Sequence, residues 1–207
     1  MSLVGVFTRI FLLTFALSAS ALAYSEEEGQ DIFQRGLYEE AILHWKKAAE
    51  AGDAGAAYRL SVEYSNAIVV KRDTQLALDY LKASVEGNDP RGLQDMGSVY
   101  DEGIFGYQKD PEKAAQFYLR AAAMGNSAAM FNAAAILELG EAGVAQDRVE
   151  AYKFYVLSRD AGFYPLAVKA LENITAVMTP EEIAEAEIRA EQFLKATEVN
   201  ALALTKL

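Results

Sequence analysis

The chain of 207 residues contains no cysteine. That single absence excludes disulfides, thiolate metal sites, cysteine nucleophiles and a lipidated N-terminal cysteine. Histidine occurs once, as His44, with Glu40 four residues before it on the same helical face. No further ligand at matching spacing turns this pair into a metal centre, so a structural or surface histidine is expected, with no metal and no other cofactor. Basic residues are scarce as well: Lys+Arg number 19 against 30 Asp+Glu, a formal charge of −11. Phosphate neutralisation needs a basic surface, so nucleic acid is not an expected partner, and adhesion to anionic lipid is disfavoured by the same sign. Long apolar runs are missing too. The apolar N-terminal run, Ile10 to Ala23, has 14 residues, short of the roughly 20 that span a bilayer comfortably.

What is present is a globular composition, 52% hydrophobic, 11% aromatic and 24% charged, in a chain long enough for one well-buried domain. Residues 1–23 carry one basic residue, Arg9, then the apolar run, then Ala21-Leu22-Ala23. This order of basic, apolar and small-residue cleavage regions predicts a signal peptide, cut after Ala23, rather than a permanent anchor. The mature protein would begin at Tyr24 with no stable membrane span. It would be exported and acidic, and stabilised by packing alone. A Gram-negative periplasm would suit it.

The rest of the chain is periodic. Gly52, Gly87, Gly125 and Gly162 each follow a helical pattern with an aromatic seven residues earlier: Trp45, Tyr80, Tyr118 and Tyr155. A second series, Asp73, Asp110 and Asp147, is spaced 37 and 37 and reads as helix N-caps. Pro111 follows at the first helical position, and Glu150 completes a capping box with Asp147. The glycines read as left-handed helix stops, preceded by the small pairs Ala48-Ala49, Ala83-Ser84 and Ala121-Ala122 and by Ser158. After each glycine a further helix begins: Ala56, Leu60 and Tyr64 lie on one face, as do Gly92, Met96 and Tyr100, with one extra residue, and Ala129, Ala133 and Leu137. The unit is therefore an antiparallel helix pair of about 36 residues.

Asp110, Lys113-Ala114, Phe117-Tyr118, Arg120-Ala121-Ala122 and Gly125, together with the stretch from Met96-Gly97 through Tyr100 to Gly103, make this pattern resemble the Sel1-like repeat, a relative of the tetratricopeptide repeat. The resemblance covers about 29–167. It implies an all-α fold, a right-handed α-solenoid of helix pairs at about 26–52, 53–87, 88–125 and 126–162. Ser61 and Ala67 stand in the second unit where the family has glycine. Ser25-Glu28 reads as a capping box opening the first hairpin. The end of the domain, 163–198, reads as a capping segment: a helix from Tyr164 to Val177, then one opened by Thr179-Pro180 with Ile183, Ala186, Ala190, Phe193 and Leu194 facing the array. From Val199 the tail is expected to fray.

Catalytic motifs are not found. Some exported proteins of this family resemble β-lactamases in reported activity and carry a cysteine pair in each repeat, which this chain lacks. Ser-x-x-Lys, a phosphate loop and a calcium loop are absent from the sequence. Asn173-Ile174-Thr175 matches a glycosylation sequon but falls inside an expected helix. The resemblance implies an exported, non-enzymatic adaptor with a protein partner. A β-lactam or peptidoglycan hydrolase and a periplasmic regulator of a membrane sensor are the alternatives. Positions turned away from the packing offsets of the first helices are the candidate contact strip: Tyr58, Arg59, Glu63, Gln94, Asp95, Phe131 and Asn132. The competing reading packs Tyr58 and Phe131 against the next helix. The apolar loop Ala67–Val70 offers a second surface, unless it tucks under the helix pair.

Overall fold

The computed structural model describes residues 24–140, 143–163 and 165–204. The leader at 1–23, its cleavage after Ala23 and a helix start at Tyr164 lie outside the described residues. Every regular element described is a helix: α1 Glu26–Gln34, α2 Tyr38–Glu50, α3 Ala54–Asn66, α4 Thr74–Glu86, α5 Pro90–Glu102, α6 Pro111–Ala123, α7 Ser127–Leu139, α8 Arg148–Asp160, α9 Leu166–Thr175 and α10 Pro180–Leu204. They fall into two compact units, one ending at Asp89 and the other beginning at Pro90. In the first, α1 packs on α2, α2 on α3 and α3 on α4. In the second, α5 through α9 pack in sequence and α10 lies on α8.

Helices α2 through α8 each have 13 residues, and their ends explain the equality. The second helix of a pair opens on an aspartate whose carboxylate accepts a first-turn amide: Asp73 from Leu76, Asp110 from Lys113, Asp147 from Glu150. That hydrogen bond holds the Asp110 carboxyl below its ordinary pKa. The backbone N–H of the same aspartate donates back to the last turn of the preceding helix, at Tyr64, Tyr100 and Leu137 respectively. Because the Asp147 N–H is satisfied there, the Glu150 carboxylate is not needed to complete a capping box. It bonds Lys153 and Arg189 instead.

The other end of the second helix corrects the register read from the glycines. Left-handed residues sit at Gly52, Asn88, Gly125 and Gly162, with φ of 96°, 59°, 86° and 94°. Gly87 has φ of −81° and is only the preceding cap residue. Asparagine adopts the left-handed region more readily than most side chains, so the stop lies one residue later than glycine suggests. The spacings 52, 88, 125 and 162 become 36, 37 and 37, and the extra residue before Gly92 disappears. After each stop the next N–H donates five residues back, to Ala48, Ser84, Ala121 and Ser158, the Schellman pattern. All four acceptors are fully buried small residues. In this register Leu81, rather than Tyr80, is the counterpart of Trp45, Tyr118 and Tyr155. Tyr80 lines up with Phe117, Phe154 and His44.

The residue after the stop also begins the next helix. Asp53 accepts from the Ala56 N–H with one carboxylate oxygen and from the Glu26 N–H with the other, at 2.9 and 2.8 Å. Asn126 caps Ala129 at 2.9 Å but turns its amide NH2 to the Pro90 carbonyl at 3.2 Å. Proline has no N–H to offer, so a donor replaces an acceptor at that position.

Large rings and missing side chains are matched in the core. Trp45 and Tyr118 are almost wholly buried. A Cβ on Gly29 would lie 2.3 Å from the Trp45 ring, and one on Gly97 2.5 Å from Tyr118. Burial pushes the Tyr118 hydroxyl up to about 12, although it bonds Ser98 at 3.2 Å.

At the chain end Thr179 and Glu182 form a complete reciprocal capping box. Ala186 and Ala190 are buried, and Ile183 and Phe193 pack against the core, while Leu194 is largely exposed rather than core-facing. The helix continues through Val199 to Leu204, past the point where fraying was expected.

Candidate functional site

His44 shows how the chemistry-bearing residues are used. It is buried at a position that the other helix pairs fill with Tyr80, Phe117 and Phe154, and it packs on Tyr24 with ring centroids 4.9 Å apart. The Ser25 N–H donates to its Nε2 at 3.2 Å. Ser25 Oγ caps Glu28, so the expected box is half made: histidine, not Glu28, receives the Ser25 N–H. The Glu28 carboxylate stands 3.6 Å from Nε2. Glu40 is exposed, and among the described residues no group of three or more His, Asp or Glu could hold a metal ion.

The seven candidate contact residues divide between the units, Tyr58, Arg59 and Glu63 in the first and Gln94, Asp95, Phe131 and Asn132 in the second. Their environments differ sharply. Arg59 pairs with Glu26 at 2.7 Å. Gln94 bonds the Ser98 hydroxyl at 3.1 Å. Phe131 packs against Tyr155 and Phe163 at 5.4 and 5.3 Å, so it belongs with the core. Tyr58, Asp95 and Asn132 are half-buried.

Glu63 departs furthest from the expected open strip. It is only 7% exposed, at the position held by buried Val99 and Ile136 in the next two first helices, and its Oε2 has no hydrogen-bond partner. Burial raises its pKa, against the opposing pull of Arg59. Helical periodicity missed this because an acid was read as a solvent-facing residue. Aligning the first helices by register would have placed it inside.

The apolar loop after α3 is divided as well. Val69 and Val70 pack against the core while Ile68 is 70% exposed. Other large apolar side chains at the surface were not among the sequence candidates: Leu37, Tyr38 and Leu43 in the first unit, Ile104 and Phe105 in the second. For the first three, comparing equivalent positions between helix pairs is the signal that would have found them.

Comparison with known proteins agrees with this register. The model described as "Sel1 repeat" matches residues 16–53, 54–89, 90–126 and 127–163, and its later boundaries coincide with the starts of α3, α5 and α7. The chain is similar to the crystal structure of a Sel1 repeat protein from Oxalobacter formigenes, at 31% identity and a TM-score of 0.59, over 64% of this chain and 97% of that one. It is also similar to Helicobacter pylori cysteine rich protein B, at 25% identity and a TM-score of 0.50, over 64% and 93%. The cysteine content in that name is not shared. Among curated proteins nothing matches. With four consecutive units matched over more than half its length, the chain belongs to the Sel1 repeat family.

Proposed function

We propose that the protein is an exported, non-enzymatic adaptor that binds another exported or envelope protein. Repeats of this family are generally protein-interaction scaffolds. The observation that carries the reading is the placement of His44, the one imidazole in the chain, as a buried packing residue whose Nε2 is taken by a backbone amide. The residues that recur from repeat to repeat are likewise committed to caps, stops and ring packing, which leaves recognition to surface positions that vary between repeats. Among the described residues no helix is long and apolar enough to cross a membrane. Export itself rests on the leader-like composition of residues 1–23, and sequencing the N-terminus of the accumulated protein tests it, with Tyr24 expected as the first residue.

Photo-crosslinking residues placed at surface positions in living cells, followed by mass spectrometry, test the adaptor role. One partner recovered from a contiguous set of positions is the expected result. Saturable turnover of a chromogenic β-lactam or of peptidoglycan fragments, abolished by single substitutions, would overturn it in favour of a hydrolase.

A further inference from the structure

Three positions of the first helix pair depart from the other three pairs in one direction. Leu37 stands where Asp73, Asp110 and Asp147 cap their helices, and its side chain makes no capping bond. Tyr38 stands where Thr74, Pro111 and Arg148 begin theirs. Leu43 stands where exposed Asp79 and Gln116 lie in the next two pairs. All three are exposed, at 41%, 46% and 55%. The first helix pair is therefore apolar where the later pairs mostly carry polar residues. The stop of α1 accounts for part of this: the Leu37 N–H donates to the Ile32 carbonyl, and apolar residues are common after such a stop. It does not account for Tyr38 or Leu43.

Tyr38 is held edge-on against Phe33, with ring centroids 4.9 Å apart. With Gly36, Leu37, Glu39 and Glu40 it lines a shallow groove of about 400 Å³. Glu39 and Glu40 are exposed, and Leu43 follows them by one turn on the same helix face. Of the nearby cations, Arg35 is paired with Asp31, and Lys47, which keeps its charge, hydrogen-bonds the Tyr24 hydroxyl beyond Leu43; the groove lining itself carries no cation. The surface is therefore apolar with an acidic edge. A second copy of the chain would set these acids against one another, and the 1–23 segment offers a single cation, Arg9. A segment alternating apolar and basic side chains complements both features.

We propose that this end of the first helix pair is a docking surface for an amphipathic basic segment of a partner protein, with apolar side chains on Leu37, Tyr38 and Leu43 and Lys or Arg on Glu39 and Glu40. The proposal rests on the adaptor reading and locates its contact. The test uses the protein in the form that cells accumulate and two labelled helical peptides, one of leucine and lysine and its twin of leucine and glutamate, followed by fluorescence anisotropy. The lysine peptide should bind saturably and the glutamate twin should not. Leu43→Gln and Tyr38→Thr copy other repeats of this chain, so folding, checked by circular dichroism, should be retained while affinity falls tenfold or more. Glu39→Gln with Glu40→Gln should weaken binding and flatten its salt dependence. No binding of the lysine peptide, equal binding of the twin, or indifference to these substitutions would each overturn the proposal, as would a dimer in sedimentation that Leu43→Gln dissociates. None of those results touches the adaptor reading, which the crosslinking experiment tests separately.

Discussion

Gly97→Ala sets two well-characterised effects against each other. Alanine is the better helix residue by about 0.8–1.0 kcal/mol in a helix interior, so propensity alone predicts a gain. The new methyl would lie 2.5 and 2.6 Å from Cε1 and Cδ1 of Tyr118, about 1 Å inside ordinary van der Waals contact. The ring is 2% exposed and its hydroxyl is held by Ser98, so it cannot swing into solvent. Overpacking of this kind costs about 1–3 kcal/mol. The fourth pair carries Ala134 and Tyr155 at the equivalent positions, both buried, which shows that the backbone can adjust and argues against the top of that range. The expected net loss is about 1 kcal/mol, read by urea titration of the circular dichroism signal, with a fall in Tm of about 2–4 °C in a thermal melt of a chain of this size. The sharper test is its dependence on the ring. The second pair has Leu81 and Ser61 at these positions, so in a Tyr118→Leu background Gly97→Ala should stabilise. Tyr118→Leu itself should destabilise. If Gly97→Ala stabilises with Tyr118 present, or if its effect is the same in both backgrounds, steric matching between glycine and ring is not what maintains the glycine.

Ala67 has φ of 56° where Gly103 and Gly140 stand in the next two first helices; Ala67→Gly should stabilise by about 0.5–1 kcal/mol, the left-handed penalty less the glycine entropy, in the same titration. Glu63→Val copies Val99 and should stabilise at neutral pH. Because burial raises the Glu63 pKa, its folded state binds the proton more tightly, so stability falls as pH rises from the ordinary carboxylate value through the raised one. That slope should be absent in Glu63→Val, and a slope that persists would assign it to another group. Asn126→Asp keeps the cap on Ala129 but sets an oxygen against the Pro90 carbonyl. A loss of about 1–2 kcal/mol is expected, and an unchanged urea midpoint would mean that the amide bond contributes nothing.

The parts of the fold legible in the sequence were those governed by local rules. Asp73, Asp110 and Asp147 announce helix starts because a short carboxylate at that spacing has one good use, and α4, α6 and α8 begin directly after them. Gly52, Gly125 and Gly162 announce stops for the same kind of reason. Asn88 did not, because a glycine one residue earlier matched the motif while asparagine took the left-handed position. That slip carried Tyr80 into a place belonging to Leu81. The candidate surface was less legible. The packing offsets turn both Phe131 and Glu63 away from the core, yet one packs on two rings and the other keeps an unpartnered oxygen in the interior. Which polar residue is buried depends on how neighbouring helices close over it, and periodicity within one helix does not contain that information.

Asp53 and Asn126 end one helix and begin the next with no residue between the two duties. A single residue inserted at such a junction would turn the following helix by about 100° about its axis and carry its apolar stripe out of phase with the partner it must cover. The loop inside a helix pair has slack by contrast: Ala67 to Asp73 is one residue shorter than Gly103 to Asp110, and both still close through the aspartate N–H. Changes of length are therefore tolerated at the hairpin tips and not at these junctions.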